Sequence, residues 1–370
     1  MFDSVSLGDL TLNNRIGLAP MTRVSATDDG QATSRMAQYY TTFAKGGFSF
    51  LITEGIYTDS VYSKGYNKQP GLVTDDHVDA WTHVTDAVHD AGGVIFAQLM
   101  HCGAQNQGIP QESDQETIAP SAVKPDGEKN EAYGGNGPYP KPKEANKEDL
   151  ETARKGFVAA AINAHEAGFD GVEIHAANGY LLNEFLSDKM NRREDEYGGS
   201  PEARGQYPAE VVNLVVSAVP EEFIVGVRGS QSMVTDYSYV WPEGEEAAAV
   251  FFEMLSNTGA DYIHTTERYA TEPTFGEDGP SLMEAAVKYV TDNTVVIANG
   301  SLGTPDAARQ AIDDGADLLT LGTSALANPD WPSRVVAGKD LAQFDRTQLL
   351  EPKATISDEE LSPGILSVDD

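Results

Sequence analysis

The amino-acid sequence predicts a (β/α)8 barrel, the TIM-barrel fold, formed by a single domain over residues 1–370. Short runs rich in β-branched and apolar residues predict eight strands, at residues 16–20, 48–53, 94–99, 171–175, 224–228, 262–265, 295–298 and 318–321. Amphipathic segments of helical length alternate with them, at residues 32–45, 77–91, 147–167, 202–218, 243–256, 282–290 and 305–314. This alternation predicts parallel strands with helical crossovers, and 370 residues suit one such barrel with insertions.

Three further segments lie outside this alternation. Residues 5–12 predict a small hairpin that turns at Gly8-Asp9, and we expect it to close the bottom of the barrel. The connection after the third strand, residues 102–146, is long and rich in Pro, Gly, Glu and Lys. Because it begins at the C-terminal end of a strand, where barrel enzymes build their active sites, we expect a lid or a substrate-facing loop. The barrel core then covers about residues 15–340, and the polar tail at 351–370 is expected to fray.

Acidic residues outnumber basic ones by 58 to 25, which gives a formal net charge of −33. They are spread along the chain, for example at Asp28-Asp29 and Asp313-Asp314, and do not form one acidic block. Such a surface argues against nucleic acid and anionic membranes as partners. Self-repulsion of this size is relieved by salt, which shortens the Debye length to about 3 Å at 1 M. The charge therefore predicts the salt-rich cytosol of a halophile, with an ordinary cytosol as the alternative.

Cysteine content and hydropathy predict a cytoplasmic protein. Cys102 is the only cysteine, which excludes an intramolecular disulfide and any Cys-only zinc or iron–sulfur site. The chain starts Met-Phe-Asp-Ser-Val, without a basic segment or an apolar run. No stretch approaches the roughly 18 apolar residues that a spanning helix needs. We expect neither secretion nor a membrane partner.

The most informative segment is residues 171–180, Gly-Val-Glu-Ile-His-Ala-Ala-Asn-Gly-Tyr. It ends an apolar strand with His175, Asn178 and Tyr180, and Gly179 permits a sharp turn before a helix at residues 181–186. His175 and Asn178 can both donate hydrogen bonds to one oxygen, and Tyr180 carries a transferable proton. This set suits a carbonyl oxygen that gains negative charge, with an acid beside it.

The residues that follow carry a resemblance to a known family. They are Leu182-Asn-Glu-Phe-Leu186, Asn191-Arg-Arg193 and Asp195-Glu-Tyr-Gly-Gly-Ser-Pro-Glu-Ala-Arg204. Together with residues 171–180 they resemble the central block of the Old Yellow Enzyme family of FMN-dependent ene-reductases. Within the block, Gly198-Gly199 predicts a tight turn and Ser200 the N-cap of the next helix. The resemblance spans Asn14-Arg15 to Asn328-Pro329-Asp330 and excludes the larger relatives that have a cysteine cluster and a second flavin domain.

The resemblance implies a flavin site at the C-terminal ends of the strands. Pro20, Met21 and Thr22 would lie along the flavin, with the Thr22 hydroxyl near a ring carbonyl; a solvent-exposed loop threonine is the alternative. Gly55 would permit close approach of the flat ring, and Gln98 would bind its pyrimidine edge.

The remaining cofactor contacts follow the fifth, seventh and eighth strands. Arg228 would lie near the N1 and O2 edge of the flavin, with a structural ion pair to a carboxylate as the alternative. A phosphate site is expected after the last two strands, at Asn299, Gly300, Ser301, Gly322 and Thr323, with a short helix at residues 324–327. The family usually has Gly-Arg where this chain has Gly322-Thr323. Backbone amides and hydroxyls would then hold the phosphate, or FMN would bind more weakly.

The implied activity is reduction of the activated C=C bond of enones, enals and nitroalkenes by NADH or NADPH, in a ping-pong sequence at one site. His175 and Asn178 would bind the substrate oxygen, and Tyr180 would protonate the α-carbon. The partners are therefore small molecules, and a homo-oligomer stays open.

Two other functions compete with this interpretation. His101 and His175 could join Cys102 or Asp236 at a metal, which would favour a metal-dependent barrel hydrolase or lyase. A flavin-binding barrel without turnover is the other alternative, against which the intact His175, Asn178 and Tyr180 argue. We expect no metal at the site.

Overall fold

A computed structural model describes residues 1–108 and 116–361 and has the predicted barrel architecture. The barrel strands are β1 (Ile16–Leu18), β2 (Phe50–Ile52), β3 (Val94–Met100), β4 (Gly171–Asn178), β5 (Ile224–Met233), β6 (Tyr262–Thr266), β7 (Val295–Asn299) and β8 (Leu318–Leu321). Consecutive strands pair in parallel, and β8 pairs with β1 to close the barrel. All eight predicted strands are thus confirmed. The extension of β4 reflects an irregular register with β5, in which Asn178 pairs with Met233.

Helices surround the barrel at the predicted positions. They are Ser34–Lys45, Asp75–Asp90, Lys147–Glu166, Pro201–Ala218, Glu245–Ser256, Leu282–Tyr289 and Pro305–Asp313. Side-chain caps fix their starts: the Thr74 side chain accepts from the backbone N–H of His77, and Ser200 accepts from Ala203. Shorter helices are Leu181–Leu186, Thr323–Ala327, Trp331–Val336 and Arg346–Leu349, of which the last two were not predicted. No helix within the described ranges is long and apolar enough to cross a bilayer.

The N-terminal hairpin closes the bottom of the barrel, as predicted. Its antiparallel strands are Val5–Leu7 and Leu10–Leu12, and Gly8 adopts a φ of 53° at the turn. Leu7 and Leu12 are buried in a cluster with side chains near the N-terminal ends of the barrel strands, such as Phe50 and Leu318. The lower lumen is therefore filled with apolar side chains, which leaves the opposite, C-terminal end for chemistry.

The long connection at residues 102–146 has some structure of its own. Its short strands Ile118–Ala119 and Lys143–Glu144 pair in parallel, and a 3₁₀ turn covers Glu131–Tyr133. Residues 109–115 of this connection lie outside the described residues. A further unpredicted strand, Ile56–Tyr57, pairs with the C-terminal end of β3.

The C-terminal segment corrects a prediction. Residues 351–361 do not fray, because Ala354 and Ile356 are buried and the Ala354 N–H donates to the Ala132 carbonyl at 2.9 Å. Arg23, fully buried, donates to the carboxylate of Glu360 at 2.6 and 2.8 Å and to the Ala354 carbonyl at 3.1 Å. A buried guanidinium needs such partners, so polar groups of the C-terminal segment hold it against the barrel. The remainder of the predicted tail, residues 362–370, lies outside the described residues.

Candidate active site

A cavity of about 530 Å³ lies at the C-terminal end of the barrel. Predicted site residues that line it are Pro20, Met21, Thr22, Gln98, His175, Asn178, Tyr180, Arg228 and Thr323. Side chains that the sequence did not single out complete the wall, among them Tyr66, Tyr133, Tyr139, Arg346 and Leu350. Tyr133 and Tyr139 come from the long connection, so this connection faces the cavity as expected. Arg346 and Leu350 come from the C-terminal region, whose position no local pattern indicates.

His175 is held as a neutral imidazole. It lies at the same register as Arg228 on the neighbouring strand, and both side chains are buried. Burial, the Arg228 charge and nearby His264 together hold the pKa of His175 well below its usual range. Its Nδ1 has no hydrogen-bond partner among the described residues. A neutral ring can donate one N–H to a ligand in the cavity without carrying charge.

Asn178 adopts an unusual backbone conformation at the end of β4. Its φ is 62°, in the left-handed region that asparagine tolerates better than most residues. The backbone is fixed on both sides: its N–H donates to the Ser230 hydroxyl at 2.8 Å, and its carbonyl accepts from Gln105 at 2.9 Å. These bonds leave the side-chain amide at the cavity wall, where it can donate to the same ligand oxygen as His175.

Tyr180 is a buried phenol in the cavity wall. It directly precedes the helix Leu181–Leu186, its ring lies 5.0 Å from the His175 ring, and its hydroxyl contacts the Tyr66 hydroxyl in a short hydrogen bond. Burial raises the pKa of Tyr180, so the phenol keeps its proton at neutral pH. No local pattern indicated Tyr66, which lies 114 residues away from Tyr180 along the chain.

Arg228 presents a buried positive charge. Its Nη2 donates to the Thr266 hydroxyl and the Asn299 side-chain oxygen, both at 3.0 Å. No carboxylate of the described residues forms an ion pair with it, and its Nε has no hydrogen-bond partner there. The structure therefore does not support the alternative of a direct structural ion pair. A cation in this setting favours an electron-rich partner in the cavity.

A polar network lies inside the barrel beneath the cavity wall. Glu173 accepts from the Gln98 side-chain amide at 2.8 Å and contacts His264 Nδ1 at 2.7 Å. The Nε2 of His264 lies 2.8 Å from the Thr320 hydroxyl. Neither Glu173 nor His264 was predicted as a site residue. The period of two along the strand was the available signal, because it places Glu173 and His175 on the same, inward face.

Some predicted cofactor residues do not line the cavity. The added Cβ of a residue at Gly55 would lie 2.6 Å from the Met100 sulfur, so that glycine makes room for a side chain. Asn299 instead uses its side-chain oxygen to hold Arg228, and the Ser301 hydroxyl donates to the Arg268 carbonyl at 2.7 Å. Gly300 and Gly322 also lie outside the cavity wall. Phosphate binding at these loops stays a prediction.

The histidines considered for a metal have separate surroundings. His101 accepts the Gly103 N–H at its Nδ1 and lies 3.6 Å from the Asp59 carboxylate through Nε2. Asp236 instead pairs with Lys189 at 2.6 Å. Across residues 1–108 and 116–361, no group of three or more His, Cys, Asp or Glu side chains could hold a metal ion.

The cavity residues fit FMN. The volume lies in the usual range of cofactor sites, about 300 to 1,000 Å³. Arg228 and Gln98 offer a cation and an amide to the polar edge of a flavin, while Pro20, Met21 and Thr22 form an adjoining wall. The unpartnered Nε of buried Arg228 supports this fit, because a ligand could accept its hydrogen bond.

The sequence profile of the NADH:flavin oxidoreductase / NADH oxidase family matches residues 1–342. The chain is 34% identical over 361 residues to a probable flavin mononucleotide-dependent alkene reductase of Leishmania infantum, covering 93% of this chain and 92% of that protein. It is 33% identical over 346 residues to 12-oxophytodienoate reductase 2 of Arabidopsis thaliana, covering 92% and 89%. Against the NADH oxidase of Thermoanaerobacter brockii, the identity is 31% over 349 residues. There the match covers 92% of this chain and only 51% of the relative, about half its length.

Solved structures give the same result. The Old Yellow Enzyme homologue from Zymomonas mobilis matches with a TM-score of 0.84 at 33% identity, covering 96% of this chain and 98% of that one. Morphinone reductase in complex with tetrahydroNAD matches with a TM-score of 0.79 at 31% identity, covering 94% and 93%. Since the family profile and these relatives cover nearly the whole chain, it belongs to the NADH:flavin oxidoreductase / NADH oxidase family of FMN-dependent oxidoreductases, together with Old Yellow Enzyme homologues.

Proposed function

We propose that this protein is an ene-reductase that uses NADH or NADPH to reduce the activated C=C bond of α,β-unsaturated carbonyl compounds. The observation that carries the proposal is the shared cavity wall of His175, Asn178, Tyr180 and Arg228. It combines two side chains able to donate to one oxygen, a protonated phenol and a buried cation. An apolar ligand pocket without chemistry would need none of these buried polar groups.

The cofactor site is proposed to involve Pro20, Met21, Thr22, Gln98 and Arg228 at the flavin. Asn299, Gly300, Ser301, Gly322 and Thr323 would provide its phosphate end, and Gly55, in the loop after β2, would permit close approach of the ring. When bound at these residues, FMN would supply the hydride chemistry that links oxidation of NAD(P)H to reduction of the β-carbon of the second substrate.

The chain's own residues perform the remaining tasks. His175 and Asn178 hydrogen-bond the substrate carbonyl, which makes the β-carbon electrophilic and stabilises the negative charge that develops on the oxygen. Tyr180 transfers its phenolic proton to the α-carbon, and the contacting Tyr66 hydroxyl stabilises the resulting phenolate. Hydride and proton together balance the two-electron reduction. Since both substrates need this one cavity, we propose that they occupy it in turn.

The cellular setting is also proposed. A net charge of −33 suits the cytoplasm of a halophile, where molar salt screens self-repulsion. We further propose that the whole chain forms one FMN-binding domain and acts on small molecules. Assembly into a homo-oligomer is compatible with these proposals.

The test is the variant Tyr180→Phe, in which stopped flow measures the rates of the two half-reactions separately. Flavin reduction by NAD(P)H needs no proton from Tyr180 and should keep its rate. Reoxidation by an enone should slow by about 10² to 10⁴-fold, the usual contribution of a positioned acid, and reoxidation by a nitroalkene should slow less. The matched control is Tyr207→Phe, a buried phenol of the outer helices whose hydroxyl donates to Leu150 at 2.9 Å. Equal slowing of both halves in Tyr180→Phe would show that Tyr180 is a binding or packing residue.

A further inference from the structure

Glu173 occupies the lumen of the barrel directly below the cavity wall. It is fully buried on β4, and one carboxylate oxygen accepts from Gln98 Nε2 at 2.8 Å. The other oxygen lies 2.7 Å from His264 Nδ1 and accepts from the Tyr262 hydroxyl at 3.3 Å. Three neighbours thus donate to one carboxylate, and none of these contacts involves solvent. The proposed mechanism leaves this group without a role.

The contacts indicate the charge states of Glu173 and His264. Burial alone would raise the pKa of Glu173, but His264, Arg228 and Gln98 outweigh burial and hold it below the ordinary value. The pKa of His264 is itself lowered, chiefly by burial. At neutral pH Glu173 is therefore an anion and His264 a neutral ring that donates from Nδ1. The Thr320 hydroxyl then donates to His264 Nε2, at 2.8 Å. Both carboxylate oxygens of Glu173 and both ring nitrogens of His264 therefore have a partner.

The anion also determines how Gln98 faces the cavity. Because the Gln98 amide nitrogen is turned towards Glu173, its side-chain oxygen lies on the other side of the amide, where it can accept from a ligand in the cavity. The negative charge of Glu173 also stabilises the Arg228 cation, by a Coulombic interaction without direct contact, since the hydrogen bonds of Arg228 go to Thr266 and Asn299. One buried carboxylate is thus coupled to two of the cavity side chains that would hold the flavin.

We propose that Glu173 is a positioning residue that sets the reduction potential of the bound flavin and fixes the Gln98 amide with its oxygen towards the cavity. The proposal rests on the proposed FMN site. Reduced flavin carries more negative charge than oxidised flavin, so a fixed anion near the cavity would favour the oxidised form. Glu173 thereby keeps the cofactor a stronger hydride donor than Arg228 alone would allow.

The test is Glu173→Gln in the FMN-loaded protein, with the reduction potential measured by spectral titration against a reference dye. Glutamine keeps the shape, and the His264 ring can donate from Nε2 to Thr320 instead. The potential should become more positive, because reduced FMN binds about tenfold more tightly relative to oxidised FMN. For a two-electron couple that ratio corresponds to about 30 mV. The affinity for oxidised FMN should fall only about twofold, as expected if half of the Gln98 amides turn the other way.

Glu184 provides a matched control. It is also fully buried, 11 residues further along the chain, and accepts from the Ala104 N–H at 2.8 Å. Burial raises its pKa well above the usual range, which favours the uncharged acid. Glu184→Gln changes no charge and should leave the potential unchanged. The double variant Glu173→Gln/His264→Gln is the alternative if the single variant does not fold. Its two amides can hydrogen-bond to each other where the carboxylate and the imidazole did, and the reduction potential should show the same positive shift.

Three results would decide against the proposal. An unchanged potential in the Glu173 variants would show that the carboxylate charge does not reach the flavin. An equal shift in Glu184→Gln would show a nonspecific effect of core substitution. Equal loss of affinity for both redox forms of FMN would show a purely structural role. Wild-type protein that binds no FMN would instead refute the proposed function itself, so the two failures are distinguishable.

Discussion

Replacing Glu360 by glutamine is expected to release the C-terminal segment from the top of the barrel. The Glu360 carboxylate accepts from Nη1 and Nη2 of Arg23 at 2.6 and 2.8 Å, and both side chains are almost fully buried. Glutamine offers one acceptor oxygen and places an amide NH2 against the second guanidinium nitrogen. Arg23 would keep its bonds to the Ala354 and Thr355 carbonyls but lose its anionic partner.

The expected loss of unfolding free energy follows from the burial of the Arg23 and Glu360 pair. Breaking one side of a buried ion pair typically costs about 3 to 5 kcal/mol. Here the free-energy cost has an upper limit, because Arg23 would become solvated if residues 351–361 detached from the barrel. That opening gives up the burial of Ile356, about 2 kcal/mol, and of Ala354. We therefore expect a loss of about 3 kcal/mol or less in the unfolding free energy, together with local opening of the segment.

Urea unfolding in molar KCl and limited proteolysis measure the two effects. Faster cleavage near residues 351–361 and weaker FMN binding should appear together, since Arg346 and Leu350 of the cavity wall lie just before this segment. The matched control is Glu359→Gln, an exposed neighbour that should change neither. The double variant Arg23→Met/Glu360→Met should recover much of the loss. If Glu360→Gln behaved like Glu359→Gln in both assays, the buried pair with Arg23 would not be what holds the C-terminal segment in place.

Three further predictions concern charge. With −33 of formal charge, the melting temperature should fall as KCl is lowered from molar to tens of millimolar, and a constant value would contradict a halophilic origin. Thr323→Arg should tighten FMN binding by roughly 1.5 to 3 kcal/mol if the phosphate lies there, measured by flavin fluorescence; an unchanged affinity would indicate that another cation, such as Arg346, already serves. Burial raises the pKa of Glu54 to about 7, above its unfolded value, so its contribution to stability is greatest below pH 4.5 and is lost as pH rises to about 7. Urea unfolding across this range should show a smaller decline for Glu54→Gln than for the wild type.

The barrel was predictable because its signals are local. Strand residues recur as short apolar runs, helices show a period near 3.6, and caps such as Ser200 mark where helices begin. The cluster of His175, Asn178 and Tyr180 was equally visible, because one strand end carries all three. The resemblance then implied a common location for Gln98 and Arg228 on other strands, and the structure places both at the same cavity.

Contacts between distant parts of the chain were not predictable in this way. The Arg23 and Glu360 pair spans 337 positions, and Tyr66 meets Tyr180 across 114. A polar tail that docks on a buried arginine has the same composition as one that frays, so composition could not separate them. Glu173 was hidden for a related reason: its partners Gln98 and His264 belong to other strands, and only the closed barrel brings them together.

An absorption spectrum of the purified protein during one anaerobic catalytic cycle tests the proposed ene-reductase activity most directly. We expect a flavin spectrum that NADH or NADPH bleaches and that an α,β-unsaturated ketone then restores, with one saturated ketone formed per flavin. A colourless protein that takes up no added FMN would contradict it, and so would a reduced flavin that the ketone fails to reoxidise.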